Sequence, residues 1–231
     1  MPFDSDTKVW FDFGCGRPAA FGGQQQLALA HVMLQSIVDR YERCNRLMSG
    51  ISFLVFDIET VVDAQAAARF LSIEQQETAS VRTALRRYQA DKTEGRSDFP
   101  KPPFHQVVAI SVLCGRIEGP PNDQRIHLQT LTSRSADTEG EPGLLRWFFG
   151  GFEQLRPQLV SFNGRGFDLP VLKYRAMRNF VSVPLLHDKS NKWENYAVRY
   201  ASHWHCDLLE VLSDYGASPR VTLDEICTVL G

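Results

Sequence analysis

The stretch SFLVFDIETVVD, residues 52–63, constrains the fold of this chain more than any other. Four apolar residues run from Phe53 to Phe56 and lead directly into Asp57, and Glu59 follows two positions later. Such a run predicts a buried β-strand, and because side chains alternate along a strand, the two carboxylates face the same way. At a strand end the two acids could hold one divalent cation together, since hard cations such as Mg²⁺ bind carboxylate oxygens. The alternative interpretation is an exposed strand end, or pairing of both acids with arginine.

Apolar segments and turn residues divide the rest of the chain into alternating elements. Further strands are predicted at 105–115, 124–131 and 158–164. Helices are predicted at 64–92, 144–155, 169–180, 207–216 and 222–231. Polar loops are predicted at 92–103 and 133–143. This order predicts an α/β fold in which helices flank both faces of a mixed sheet.

The first part of the chain precedes the buried strand and has a different character. Residues 1–23 are rich in glycine and aromatic residues, whereas residues 24–47 have apolar residues at helical spacing. We interpret residues 1–47 as an N-terminal extension and residues 48–231 as the domain. The alternative is an N-terminal helix that packs on the domain.

Composition narrows the classes of function that remain. Hydrophobic residues make up 43% of the chain and charged residues 23%, which is ordinary for a soluble globular protein. The net charge of −2 gives no overall attraction for nucleic acid, so binding would depend on a local basic patch. No apolar run approaches about 20 residues, so no membrane span is predicted. The N-terminus lacks the pattern of a signal peptide, and five widely spaced cysteines predict free thiols in a reducing cytoplasm.

A second polar segment, SFNGRGFDLP at residues 161–170, has the pattern of a strand-to-helix turn. Gly164 and Gly166 allow positive φ angles or close approach of another backbone. Asp168 precedes a leucine and a proline, and for this residue alone a helix cap is the favoured interpretation.

Together, the strand that ends in Asp-Ile-Glu-Thr and the later Phe-Asn-Gly-x-x-Phe-Asp-x-Pro segment resemble the first two motifs of the DEDD 3′–5′ exonucleases. The chain is most similar to stand-alone bacterial proteins related to the proofreading domain of family-B DNA polymerases. The resemblance extends over residues 51–231. It implies a ribonuclease-H-like fold and phosphodiester hydrolysis with two Mg²⁺ or Mn²⁺ ions. The leading expectation for the substrate is single-stranded DNA with a 3′ end. Trimming of RNA and nucleic-acid binding with weak catalysis are the alternatives.

The resemblance also assigns roles to individual residues. The implied catalytic metal ligands are Asp57, Glu59 and Asp168, with Asp57 bridging the two ions. Asn163 and Phe167 would contact the terminal nucleotide. Phe167 offers a face for base stacking, although ordinary core packing is an equal alternative. Thr60 would form a hydrogen bond with the substrate.

The third motif of the family, Tyr-x-x-x-Asp on a late helix, is not found in this sequence. None of the tyrosines after Asp168 has an aspartate four positions later. We therefore expect the C-terminal helix of the fold to be missing, and the binding of at least one ion to be weakened. Asp207 is a candidate substitute for the fourth acid, but a helix cap is its favoured interpretation. His203 and His205 are more consistent with structural roles than with a zinc site.

Overall fold

A mixed β-sheet forms the centre of the domain in the computed structural model, which describes residues 50–74, 77–119 and 123–230. Within these residues the strands are β1 (Ile51–Val62), β2 (His105–Glu118), β3 (Arg125–Ser135), β4 (Gln158–Ser161) and β5 (His205–Asp207). Their order across the sheet is β3-β2-β1-β4-β5. The first three strands are antiparallel, and β4 and β5 run parallel to β1. The predicted α/β fold with a ribonuclease-H-like mixed sheet is confirmed, while the predicted extension lies outside the described residues.

Helices lie between and after the strands. They are α1 (Ala64–Leu71), α2 (Thr78–Lys92), α3 (Ala136–Leu155), α4 (Asp168–Arg178), α5 (Pro184–His187), α6 (Leu208–Leu212) and α7 (Leu223–Leu230). Single 3₁₀ turns cover Pro102–Phe104 and Asp214–Gly216. None of the helices in the described ranges is long and apolar enough to cross a membrane.

The helix predicted over residues 64–92 is in fact two helices. Ser72 adopts the left-handed conformation, with φ of 53°, and ends α1. The backbone N–H of Ile73 donates to the Ala68 carbonyl oxygen, which closes the last turn. Ile73 then packs against a small cluster centred on Ala67 and Leu85. Burial of this apolar side chain therefore turns the chain back, so that α1 and α2 pack together.

The prediction of a polar loop over residues 133–143 is also wrong. Strand β3 continues to Ser135, and α3 begins at the next residue. Gly140, with φ of 66° and ψ of 169°, breaks the helical geometry, and Glu141 beyond it is buried. Its carboxylate pairs with Arg175 of α4, at 2.6 Å, which explains why a polar stretch lies in the interior.

The two faces of the sheet are packed differently. One face, with Leu54 and Phe56 of β1, packs with apolar residues of α3 and α4 in the larger core cluster. The opposite face carries a smaller cluster that includes Phe53 and, from α6, Leu208. Because side chains alternate along β1, Asp57 follows Phe53 on this second face. The candidate site therefore lies beyond the edge of the smaller core.

Candidate active site

The two acids of β1 lie where this strand separates from β4. The parallel pairing between the two strands covers only Phe53 to Val55, so beyond this point one edge of β1 is open. Asp57 and Glu59 are exposed, and Ile58 between them is buried. The carboxyl groups of Asp57 and Glu59 are consequently accessible to solvent beside this open edge.

Asp168 approaches this segment from the first turn of α4 and is only 5% exposed. Burial and the nearby negative charge of Asp57 raise the pKa of Asp168 to about 7, and a hydrogen bond with the Ile58 N–H partly offsets this rise. Asp57 keeps an accessible surface, but the surrounding protein partly desolvates its carboxyl group, and this desolvation together with the charge of Glu59 raises the pKa of Asp57. Asp57 and Asp168 therefore lie close enough for their negative charges to repel each other.

The helix-cap interpretation of Asp168 is wrong. The residue at the cap position is Phe167, and no side chain caps this helix end. Asp168 is instead the first helical residue, and its carboxylate is directed toward β1. Its position therefore brings the second polar segment of the sequence against the first.

The donor atoms at this point suit a hard divalent cation. They are carboxylate oxygens, and their mutual repulsion is the kind that a cation relieves. Within the described ranges, however, no group of three or more His, Cys, Asp or Glu side chains is arranged to hold a metal ion. Asp57 and Asp168 are thus brought together, whereas a closed set that also includes Glu59 is not.

The turn between β4 and α4 positions Asp168. Asn163 takes the left-handed conformation, with φ of 60°, so the positive φ falls on asparagine rather than on either neighbouring glycine. Gly164 is needed for close approach, because a Cβ atom there would overlap the Ser161 hydroxyl oxygen. The Asn163 side chain is exposed at this turn.

Asp207 holds the same turn from the end of β5. Its carboxylate accepts the backbone N–H groups of Asn163 at 2.9 Å and Arg165 at 2.8 Å. It also accepts the Leu209 N–H at 3.2 Å, which confirms the helix-cap interpretation. Burial raises the pKa of Asp207, and these N–H donors oppose the rise. Three donors occupy most of the capacity of its oxygens, which does not favour Asp207 as a substitute fourth ligand.

Thr60 follows Glu59 across an irregularity in the pairing of β1 with β2. Glu59 lies opposite Ala109 and Thr60 opposite Val107, so one residue of β2 bulges here. The Thr60 hydroxyl oxygen is 2.9 Å from Nδ1 of His105, a buried residue at the start of β2. The side chain predicted to contact substrate is therefore already engaged by a histidine.

Phe167 lies between the site and the core. Its side chain is half-buried and packs against the larger core cluster. Its ring centroid is 4.9 Å from that of His105 and 5.4 Å from that of Phe99. Sequence reasoning missed both neighbours, although His105 at the first position of an apolar strand was a usable signal. Phe99 lies in a segment that the sequence indicated only as a loop.

His205 is a structural residue, as the sequence favoured. It is 1% exposed, and its Nε2 lies 2.8 Å from the Ser161 hydroxyl oxygen. Burial and the positive charges of Arg165 and Lys173 lower its pKa to about 3, so the ring is neutral at physiological pH.

The sheet order and the paired carboxylates define an α/β domain consistent with the ribonuclease-H-like exonucleases. The chain belongs to a family described as predicted 3′–5′ exonucleases related to the exonuclease domain of PolB. The family profile matches residues 97–231, more than half of the chain. The match includes Asn163, Phe167 and Asp168, while Asp57 and Glu59 precede its first residue. No curated protein matches the chain.

Proposed function

We propose that this chain is a metal-dependent exonuclease that shortens single-stranded DNA from its 3′ end, acting in the cytoplasm. The observation that supports the proposal best is the proximity of Asp57 and Asp168, whose negative charges repel each other beside the open edge of β1. Two acids from separate motifs meet at an open strand edge, with the charge repulsion that a cation would relieve.

Three carboxylates would hold the ions: Asp57, Glu59 and Asp168. Two bound Mg²⁺ or Mn²⁺ ions would supply activation of the attacking water and stabilisation of the leaving 3′ oxygen. The protein side chains would orient the 3′ end of the substrate beside these ions. Asn163, exposed on the turn, would contact the terminal nucleotide, and the ring of Phe167 would stack on its base.

The Thr60 contact with substrate takes a defined form in this proposal. The Pro100 carbonyl can only accept, so Nε2 of His105, 3.0 Å away, carries the ring proton. Burial lowers the pKa of His105, so the ring is neutral and its Nδ1 accepts the Thr60 hydroxyl proton. The Thr60 oxygen then faces substrate as an acceptor, which suits a terminal hydroxyl group as its donor.

A second candidate function is nucleic-acid binding with weak catalysis. It is favoured by the finding that the described residues contain no ready group of three metal-ligating side chains. Trimming of RNA rather than DNA is a further alternative, since stacking and phosphate contacts do not themselves separate the two.

A labelled single-stranded oligonucleotide tests the proposal. We expect the purified 231-residue chain to convert a 5′-labelled DNA strand into a ladder of shorter labelled products in Mg²⁺ or Mn²⁺. Release of the label as a mononucleotide would indicate the opposite polarity. A matched RNA strand in the same assay decides between the two substrates.

Two substitutions provide the controls. Asp57→Asn should abolish the ladder, which excludes a contaminating nuclease as its source. Asp91→Asn removes an exposed carboxylate from α2 and should leave the ladder intact. Intact DNA and RNA in both metals, together with measurable binding, would instead favour the second candidate function.

A further inference from the structure

The segment before β2 folds back onto the residues of the candidate site. His105 connects them, because one ring nitrogen contacts Thr60 at 2.9 Å and the other contacts the Pro100 carbonyl oxygen at 3.0 Å. His105 is 3% exposed, so this link is buried and fixes the position of Pro100 relative to β1. The residue immediately before Pro100 is therefore held at the site rather than free in solution.

That residue is Phe99, whose side chain remains 55% exposed. Its ring centroid lies 5.0 Å from that of His105 and 5.4 Å from that of Phe167. Such distances are typical of interacting aromatic rings. Phe99 and Phe167 thus form one aromatic surface, partly open to solvent, which adjoins Asp168 in the chain.

We propose that Phe99 is a substrate-binding residue that stacks on a base of the single strand, next to the nucleotide that contacts Phe167. This inference rests on the proposed function, since it takes the 3′ end to lie at Asp57 and Asp168. Stacking on an aromatic ring accepts every base, so this contact holds the strand without selecting its sequence. If Phe99 only covered His105, its contribution to the binding of a single strand would not depend on whether a base is present.

Binding without hydrolysis tests the proposal. The probe is a short 5′-fluorescein-labelled oligothymidine, titrated with the full chain in EDTA at one fixed salt concentration and followed by fluorescence anisotropy. Phe99→Ala should raise Kd about tenfold, and Phe99→Tyr should restore binding because it keeps the ring.

Abasic probes give the readout that a structural role would not change. Three further oligonucleotides each lack one base, at the last, the second-last or the third-last position. We expect one of them to bind the parent chain and Phe99→Ala equally, because the base that stacks on Phe99 is already absent. An equal loss on every probe would show that Phe99 acts without stacking and would overturn the proposal.

Phe70→Ala is the matched control. Phe70 is 50% exposed and also lies in an aromatic cluster, with ring centroids 5.2 Å from Tyr88 and 5.0 Å from Phe104. Its replacement removes the same side chain without touching Phe167, and Kd should stay unchanged. Thermal unfolding of both variants checks that they are equally folded.

The outcomes separate this inference from the proposed function. Hydrolysis by the parent chain together with an unchanged Kd for Phe99→Ala would overturn only the role of Phe99. Binding that depends on Phe99 without hydrolysis in either metal would contradict the exonuclease and leave the stacking contact supported. Absence of binding in EDTA together with absence of hydrolysis in either metal would overturn both.

Discussion

Asp168 is a residue whose charge the folded protein disfavours in the absence of a cation. Its pKa rises to about 7 from an ordinary value of 3.8, because the carboxyl is buried beside Asp57. A carboxyl with a raised pKa contributes full stability at low pH, where it is protonated in both states. That contribution is lost as pH rises from about 4 through about 7, because the unfolded state ionises first.

Asp168→Asn should therefore stabilise the metal-free protein. At about pH 8 in EDTA we expect the melting temperature to rise by several degrees, since about 1 kcal/mol corresponds to about 2–4 °C in a domain of this size. The difference between the variant and the parent should shrink at about pH 4, where Asp168 is neutral. Thermal unfolding at both pH values measures the effect, and a lower melting temperature for the variant at about pH 8 would contradict it. Asp91→Asn, at an exposed position, should change stability by less than about 0.5 kcal/mol.

Arg175 holds α4 in place through buried ion pairs. Its guanidinium donates to Glu141 and to Asp63, each at 2.6 Å, and all three residues are at most 5% exposed. Asp63 directly follows β1 and caps α1, and Glu141 is in α3, so the Arg175 side chain connects α4 to two other parts of the fold. Because Asp168 begins the same helix, this network also fixes where its carboxylate lies.

Replacement of Arg175 by methionine should destabilise the fold by about 3–5 kcal/mol, because it leaves two buried carboxylates without their counterion. Urea denaturation at neutral pH measures the loss. Arg178→Met is the control, since Arg178 is more exposed and lies 3.7 Å from Asp63, and it should cost about 0–1 kcal/mol. A comparable loss of stability in Arg175→Met and Arg178→Met would show that burial of the ion pairs does not determine their contribution to stability. Partial recovery in Arg175→Met/Glu141→Gln would support the explanation by uncompensated charge.

At the scale of elements, the turn between β4 and α4 depends on one glycine for space. A Cβ atom at Gly164 would overlap Ser161, whose hydroxyl is already hydrogen bonded to buried His205. Neither group has room to move, so added volume must displace the turn itself. An added Cβ atom at Gly164 would therefore lower the stability of the turn that connects β4 and α4, rather than the stability of the strand or the helix itself.

Gly164→Ala should cost about 1–3 kcal/mol, as overpacking of a closed site generally does. The matched substitution is Gly150→Ala in α3, where no atom lies within 4 Å of the added Cβ. Alanine is the better helix former, so this second variant should gain about 0.5–1 kcal/mol. Urea midpoints of the two variants should therefore shift in opposite directions. A gain in both would show that the turn can relax.

The elements also show what sequence patterns predict well and where they fail. Strands β1 and β2 were predicted because their apolar runs are long and reflect local burial. The break at Ser72 was not predicted, because it depends on where Ile73 packs in three dimensions. The start of α3 was not predicted for a similar reason. A glutamate is usually exposed to solvent, and the sequence does not show that Glu141 pairs with the buried Arg175.

At the scale of the whole molecule, the mixed sheet could be predicted from the order of the elements, whereas the arrangement of the site could not. Motif positions indicated that Asp57 and Asp168 belong together, but only the fold shows that their carboxyl groups lie close enough to repel each other. Phe99 could not be assigned from sequence, because its proximity to Phe167 depends on the buried link through His105. Contacts between loops and distant strands carry no periodic signal along the chain.

A cation bound beside Asp168 would offset the unfavourable free energy of ionising this buried carboxyl group. The domain should therefore become more stable when the metal is added. A cation that binds only the folded state adds about 2.7 kcal/mol at a hundred times its Kd, or about 5–10 °C in melting temperature. Mn²⁺ should therefore raise the melting temperature of the parent chain, and Asp168→Asn should lose most of this rise. Because the same variant is expected to be the more stable protein in EDTA, the order of the two melting temperatures should reverse as Mn²⁺ is added.

Thermal unfolding across a Mn²⁺ titration at about pH 8 measures this reversal without any need for catalysis, and Asp91→Asn should follow the parent throughout. Parallel curves for the parent and Asp168→Asn would show that the cation does not bind at this carboxylate. Binding should also weaken at lower pH, because protons compete with the metal for Asp168. A reversal at about pH 8 that fades as pH falls below about 7 would connect the raised pKa, the cation and the fold in one measurement.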